Sequence, residues 1–175
     1  MHRTRIRLFL TVLMLLVVTA QTYTFAQITH LEGTFTYVPD KSDAVDHAIE
    51  AAVSRFNLFV RPFVRWRLRA ANAPYQRITI ALTPTQVSIT IDEDDPERMP
   101  LDGTPIEGKD ENGEVVQVRT RVEGNALTQE FSTKDGQRLN IYEVSPDGQT
   151  LTLQVTVSSQ RLAEPVKYRL VYRRV

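Results

Sequence analysis

Four turn dipeptides, Asn112-Gly113, Gly124-Asn125, Asp135-Gly136 and Asp147-Gly148, recur every eleven or twelve residues, each between stretches where apolar and polar residues alternate. Such dipeptides suit tight hairpins, and alternation gives each strand one buried face. The C-terminal part is therefore an antiparallel meander, with strands expected at 114–122, 125–132, 137–145, 149–158 and 165–174. Leu151, Leu153, Val155 and Val157, set against Thr152, Gln154, Thr156 and Ser158, show the clearest alternation.

Upstream, Leu31, Gly33, Phe35 and Tyr37 share one face of a strand that Pro39-Asp40 ends. Ser42 and Asp43 are good N-caps, and Asp43, Asp46 and Glu50 sit where a helix start favours negative charge. Val45, Ala48, Ile49, Ala52, Val53 and Phe56 keep helical spacing, and Pro62 suits the first turn of a second helix. The spacing predicts helices near 42–58 and 61–72, forming an insert over 41–73. Strands resume with Ile78, Ile80 and Leu82, turn at Thr83-Pro84-Thr85, and continue with Val87, Ile89 and Ile91. Met99 to Ile106 reads as one weak, proline-broken edge strand. The fold class is mainly β: an antiparallel up-and-down barrel of eight or nine strands with a two-helix insert between strands 1 and 2. Closure removes exposed edges and gives the lone first strand a partner in the last. A two-sheet sandwich is the other arrangement the pattern allows.

Residues 1–26 carry the order of a secretory signal: Arg3, Arg5 and Arg7, an apolar core from Leu8 to Val18, and Thr24-Phe25-Ala26 as a cleavage site. The mature domain then spans 27–175 and is secreted or periplasmic. With no cysteine in the chain, neither a disulfide framework nor a lipid-modified cysteine is available, which favours a bacterial envelope. Removing the segment takes three arginines from 21 basic side chains and none of the 21 acids. That slight acidic excess argues against nucleic acid as a partner.

Leu31-Glu32-Gly33-Thr34-Phe35 resembles the Gly-x-Trp signature opening the first strand of the calycins, the lipocalin and fatty-acid-binding protein group, with Phe35 where the family has Trp. Tyr172-Arg173-Arg174 is similar to the basic end of their last strand, whose cation packs over that ring. Gly33, Phe35 and Arg173 are the structural signature this resemblance implies. The helical pair is similar to the lid of fatty-acid-binding proteins. Small exported bacterial lipocalin-like domains share the look of Asp40-Lys41-Ser42 and Ser145-Pro146-Asp147-Gly148. The family's Arg-x-Tyr carboxylate clamp is not matched: Arg169 and Tyr172 are three apart, which places them on opposite faces of a strand.

The resemblance implies an apolar or amphipathic ligand in a barrel capped by the insert. Phe59, Phe63, Trp66 and Arg67 are its candidate contacts, since the phenylalanines and Trp66 share an apolar sector with Val60, Val64 and Leu68. Arg61, Arg65 and Arg69 form a cationic stripe, so the insert is also a candidate for peripheral membrane contact. No catalytic residue, metal ligand or cofactor is assigned: His47 among Asp43, Asp46 and Glu50 reads as a solvated helix start, and no serine has a nucleophile setting. Tyr142, Tyr168, Tyr172 and Arg169 are the residues a catalytic reading would need. The alternative to ligand binding is a barrel filled by its own side chains, acting as an envelope protein-interaction module.

Overall fold

The computed structural model describes residues 29–109, 113–123 and 125–175. The expected signal segment lies outside the described residues, as do Asn112 and Gly124 of the first two turn dipeptides. The strands are β1 (Gly33–Tyr37), β2 (Arg77–Leu82), β3 (Gln86–Ile91), β4 (Glu97–Pro100), β5 (Ile106–Lys109), β6 (Val115–Glu123), β7 (Ala126–Ser132), β8 (Gly136–Val144), β9 (Thr150–Ser159) and β10 (Val166–Arg174). They form one antiparallel sheet in the order β4-β3-β2-β1-β10-β9-β8-β7-β6-β5, so the first strand joins the last. Its two ends meet beyond β4, where Asp102 bridges to Arg121 and the Gly103 amide donates to the Thr120 carbonyl at 3.0 Å. Inside this seam the Met99 sulfur accepts from Thr120 Oγ1 at 3.3 Å and Gln129 Nε2 at 3.1 Å. The result is a nearly closed barrel.

It has ten strands rather than eight or nine. The stretch read as a single weak strand is two, β4 and β5, because Pro105 offers no amide to a ladder and Gly103 turns the chain at a φ of 80°.

Two helices, α1 (Val45–Val53) and α2 (Arg61–Ala71), lie between β1 and β2, both shorter than the periodicity predicts. Ser42 and Asp43 do not cap α1; Ala44 holds that place with no side-chain bond. Ser42 Oγ instead accepts the Val171 amide at 2.9 Å, and Asp43 Oδ2 accepts the Arg169 amide at 2.8 Å. β1 stops at Tyr37 while β10 runs on past it, and those amides need acceptors once the ladder ends.

Away from the insert, the barrel interior is filled. Phe35, Ile78, Ile80, Val87, Leu127, Leu151, Leu153, Val155 and Leu170 are at most 1% exposed. A side chain bordering a water-sized void would show surface to it, so these side chains pack on one another, each adding roughly 1.5–3 kcal/mol of apolar burial. From α1, Ile49, Ala52 and Val53 join the same core.

At the far end Arg174 closes the barrel. Its guanidinium carbon lies 4.6 Å from the centre of the Phe35 ring, and its nitrogens donate to the carbonyls of His30 at 2.8 Å, Glu32 and Gly148. The cation over the ring is thus Arg174, not Arg173. Phe35 sits opposite Arg174 in register, so a period of two turns Arg173 outward, where it is exposed. Gly33 has a φ of 138°, and a Cβ there would overlap the Arg174 guanidinium. Gly33→Ala is expected to cost about 1–3 kcal/mol in denaturant unfolding, while Gly108→Ala, with open space around it, stays within about 0.5 kcal/mol. Equal effects would show that the Arg174 closure does not depend on Gly33.

Candidate functional site

Under the insert the inward positions change character. Register places Gln129 of β7 beside Asn140 of β8, and Arg138, Asn140 and Tyr142 share the inward face of β8. β10 contributes Tyr168 and Tyr172, and the C-terminal end of α2 contributes Asn72, which is 2% exposed. All but Tyr172 join one hydrogen-bond network. Tyr142 OH donates to Gln129 Oε1 at 3.1 Å and accepts from Asn140 Nδ2 at 3.3 Å. Tyr168 OH donates to Asn72 Oδ1 at 3.0 Å. Arg138 donates from Nε to Asn140 Oδ1 (2.9 Å), from Nη1 to the Ala71 carbonyl (2.9 Å) and Asn72 Oδ1 (3.4 Å), and from Nη2 to Tyr168 OH (3.4 Å).

Every one of those Arg138 partners is neutral. Among the described residues no carboxylate pairs with it, although the side chain is half-buried. Tyr172 OH is a second loose end, buried and without a hydrogen-bond partner among the described residues. Burial pushes the phenols of Tyr142, Tyr168 and Tyr172 above the ordinary tyrosine range. Of the four residues a catalytic reading would need, these three face inward; Arg169 is on the outside, as the spacing predicts.

The insert divides differently from its helical wheel. Arg65 Nη2 donates to Glu50 Oε2 at 2.8 Å, Arg69 Nε donates to Asp46 Oδ1 at 2.9 Å, and Arg61 Nη2 donates to the Ser54 and Phe56 carbonyls at 2.6 and 2.9 Å. The cationic stripe is therefore the seam between α2 and α1, and the Arg65 bond holds the Glu50 carboxyl below its usual range. Val64 and Leu68 pack toward the core. Phe59, Phe63 and Trp66 are left on the outer face, 95%, 59% and 65% exposed, with Arg67 exposed among them. None of these four reaches the interior network, and Trp66 lies 6.3 Å from Phe63, ring centre to ring centre.

Sequence reasoning missed Arg138, Asn140, Gln129 and Asn72. The signal that finds three of them is register: a hairpin turning at Asp135-Gly136 sets Arg138 and Asn140 on the same face as Tyr142, and Gln129 across from them.

No protein-family model matches this chain, and no curated protein does. Solved structures do. An abundant heat-soluble (SAHS) protein from Ramazzottius varieornatus superposes with a TM-score of 0.58 at 13% identity, over 83% of this chain and 96% of that one. The fatty-acid-binding protein of Drosophila melanogaster brain matches with 0.53 at 17%, over 80% and 95%. A Schistosoma mansoni fatty-acid-binding protein in complex with arachidonic acid matches with 0.55 at 14%, over 85% and 98%. The chain has the fold of the calycin-like, fatty-acid-binding barrels. Within that fold, the polar network lies inside the barrel beneath the helices, and most of the remaining interior is filled by apolar side chains.

The buried phenols give a pH prediction. Because their folded pKa values are raised above the unfolded value of about 10, their contribution to stability is complete below pH 10 and is lost as pH rises beyond it. Absorbance of phenolate at 295 nm is expected to show Tyr142, Tyr168 and Tyr172 ionising together with loss of the circular dichroism of the sheet. Reversible ionisation of all tyrosines near pH 10 with the fold intact would contradict their burial.

Proposed function

We propose that this protein is an exported, non-enzymatic binder of a small amphipathic molecule with an acidic head group. Arg138 carries the reading. Among the described residues this half-buried guanidinium meets only neutral acceptors and no counter-charge of the kind such groups ordinarily have, and an acidic ligand would supply it. Tyr168 OH, which accepts from Arg138 Nη2 at 3.4 Å, offers a further donor. Solved neighbours named as fatty-acid-binding proteins support the ligand class. A cleavable segment at 1–26 would deliver the protein to the periplasm or outside the cell.

The test compares dodecanoic acid with dodecanol by titration calorimetry. Replacing a charge-assisted bond costs about 1.5–3 kcal/mol, so Arg138→Met is expected to weaken the acid by about 10- to 100-fold and to leave the alcohol nearly unchanged. Equal loss of both would make Arg138 a structural residue only. A wild-type protein that takes up neither leaves the alternative, a filled barrel that docks other envelope proteins.

A second observation supports membrane contact through the insert. Leu58, Phe59, Val60, Phe63 and Trp66 stand exposed within nine residues, and Arg55 and Arg67 are exposed near them, while Arg61, Arg65 and Arg69 are turned to the α1 seam. An apolar ridge with flanking cations suits an anionic lipid surface. Trp66 is the chain's one tryptophan, so its emission is a direct reporter: it is expected to shift to the blue with vesicles containing phosphatidylglycerol, and Phe59→Asp to abolish the shift. No shift at low salt would end this part of the proposal.

A further inference from the structure

A groove of about 510 Å3 lies between the end of β1 and the insert, within the roughly 300–1,000 Å3 of small-molecule sites. Tyr37, Pro39, Val45, Ile49 and Pro74 supply its apolar lining. Asn72 is also part of that lining, although only 2% exposed, and its Oδ1 is the acceptor shared by Tyr168 OH and Arg138 Nη1. One residue thus borders the groove and takes part in the interior network. A carboxylate presents the same kind of planar oxygen to those two donors, with the negative charge that Arg138 lacks. The barrel below offers no comparable room for an apolar tail, since Leu151, Leu153, Val155 and Leu170 are at most 1% exposed.

We propose that the ligand's apolar tail lies in this groove and that its carboxylate takes the place of Asn72 Oδ1 between Tyr168 and Arg138. The inference rests on the acid-binding reading above and adds where the ligand sits. Asn72 then holds the network together while the site is empty and yields its acceptor position when an acid arrives. The site would select monocarboxylates with a short or medium apolar tail, because the groove is bounded by the insert rather than continuing down the barrel axis.

Calorimetric titration with dodecanoic acid and dodecanol tests this on three variants. Asn72→Asp keeps the shape of the side chain and puts a carboxylate permanently against Arg138, so it is expected to lose acid affinity by about tenfold or more while its melting temperature rises. The rise in melting temperature follows from the new ion pair alone, so only the loss of acid affinity separates a ligand-yielding role for Asn72 from a merely structural one. Ala44→Trp and Ala73→Trp, both at exposed positions lining the groove, are expected to weaken acid and alcohol alike by filling it. If Asn72→Asp does not fold, these two decide. Wild-type binding of the acid with unchanged affinity in both tryptophan variants, or with a folded Asn72→Asp that binds as well as wild type, overturns the groove assignment alone. Wild-type protein that binds neither compound overturns the acid-binding reading, and this inference with it.

Discussion

The pairing of β1 with β10 is the constraint on which the rest depends. Only three pairs join them, Phe35 with Arg174, Thr36 with Arg173 and Tyr37 with Tyr172, yet they convert a sequential meander into a barrel. So short a ladder needs help at both ends. At one, Arg174 reaches three carbonyls and the Phe35 ring, joining the start of the domain to the β8–β9 turn and the last strand. At the other, the chain leaving β1 keeps bonding to β10 through the Val38 amide and the Ser42 and Asp43 side chains. Both devices satisfy backbone or side-chain groups that would otherwise stand unpaired beside a core.

Where β1 ends also fixes where the insert must sit. The segment that extends the ladder runs directly into α1, so Ile49 and Val53 meet the end of the barrel core. α2 is then oriented by charge: Asp46 and Glu50 on α1 draw Arg69 and Arg65 to the helix–helix seam. These pairs are largely exposed, and such pairs contribute about 0–1 kcal/mol each; their effect is to set rotation more than to stabilise. With the arginines on that side and Val64 and Leu68 inward, Phe59, Phe63 and Trp66 have no face left but the outer one.

Most of the architecture was legible because inward residues on β2, β3, β9 and β10 are apolar and their neighbours are not, and because turn dipeptides punctuate the meander. The polar site was not legible for the same reason. On β8, Leu139 and Ile141 look like core and Arg138 and Asn140 like surface, but the register places the polar pair inside. Tyr142, continuous with the apolar core, sets that register against Leu153 and outweighs the local pattern. The helix boundaries failed for a different reason: Ser42 and Asp43 are residues with two uses, helix cap or acceptor for a strand edge, and composition does not distinguish them. The tenth strand was hidden by Pro100 and Pro105, which suggested a broken strand where the chain makes two.

Arg138 also has a structural task at the end of the insert. Its Nη1 donates to the Ala71 carbonyl at the C-terminal end of α2, where a cation is favourable against the helix dipole. Capping alone does not require a charge to be carried into the barrel among amides and phenols, since a neutral donor would meet the same carbonyl with a smaller desolvation cost. The guanidinium spans both places, with Nη1 on the helix end and Nε and Nη2 on the interior network. A negative group arriving at the network would therefore act on the same residue that holds the insert to the barrel. On the proposed reading, an acid occupying the network would bear on the contact where the insert's C-terminal end rests, because both use the Arg138 side chain.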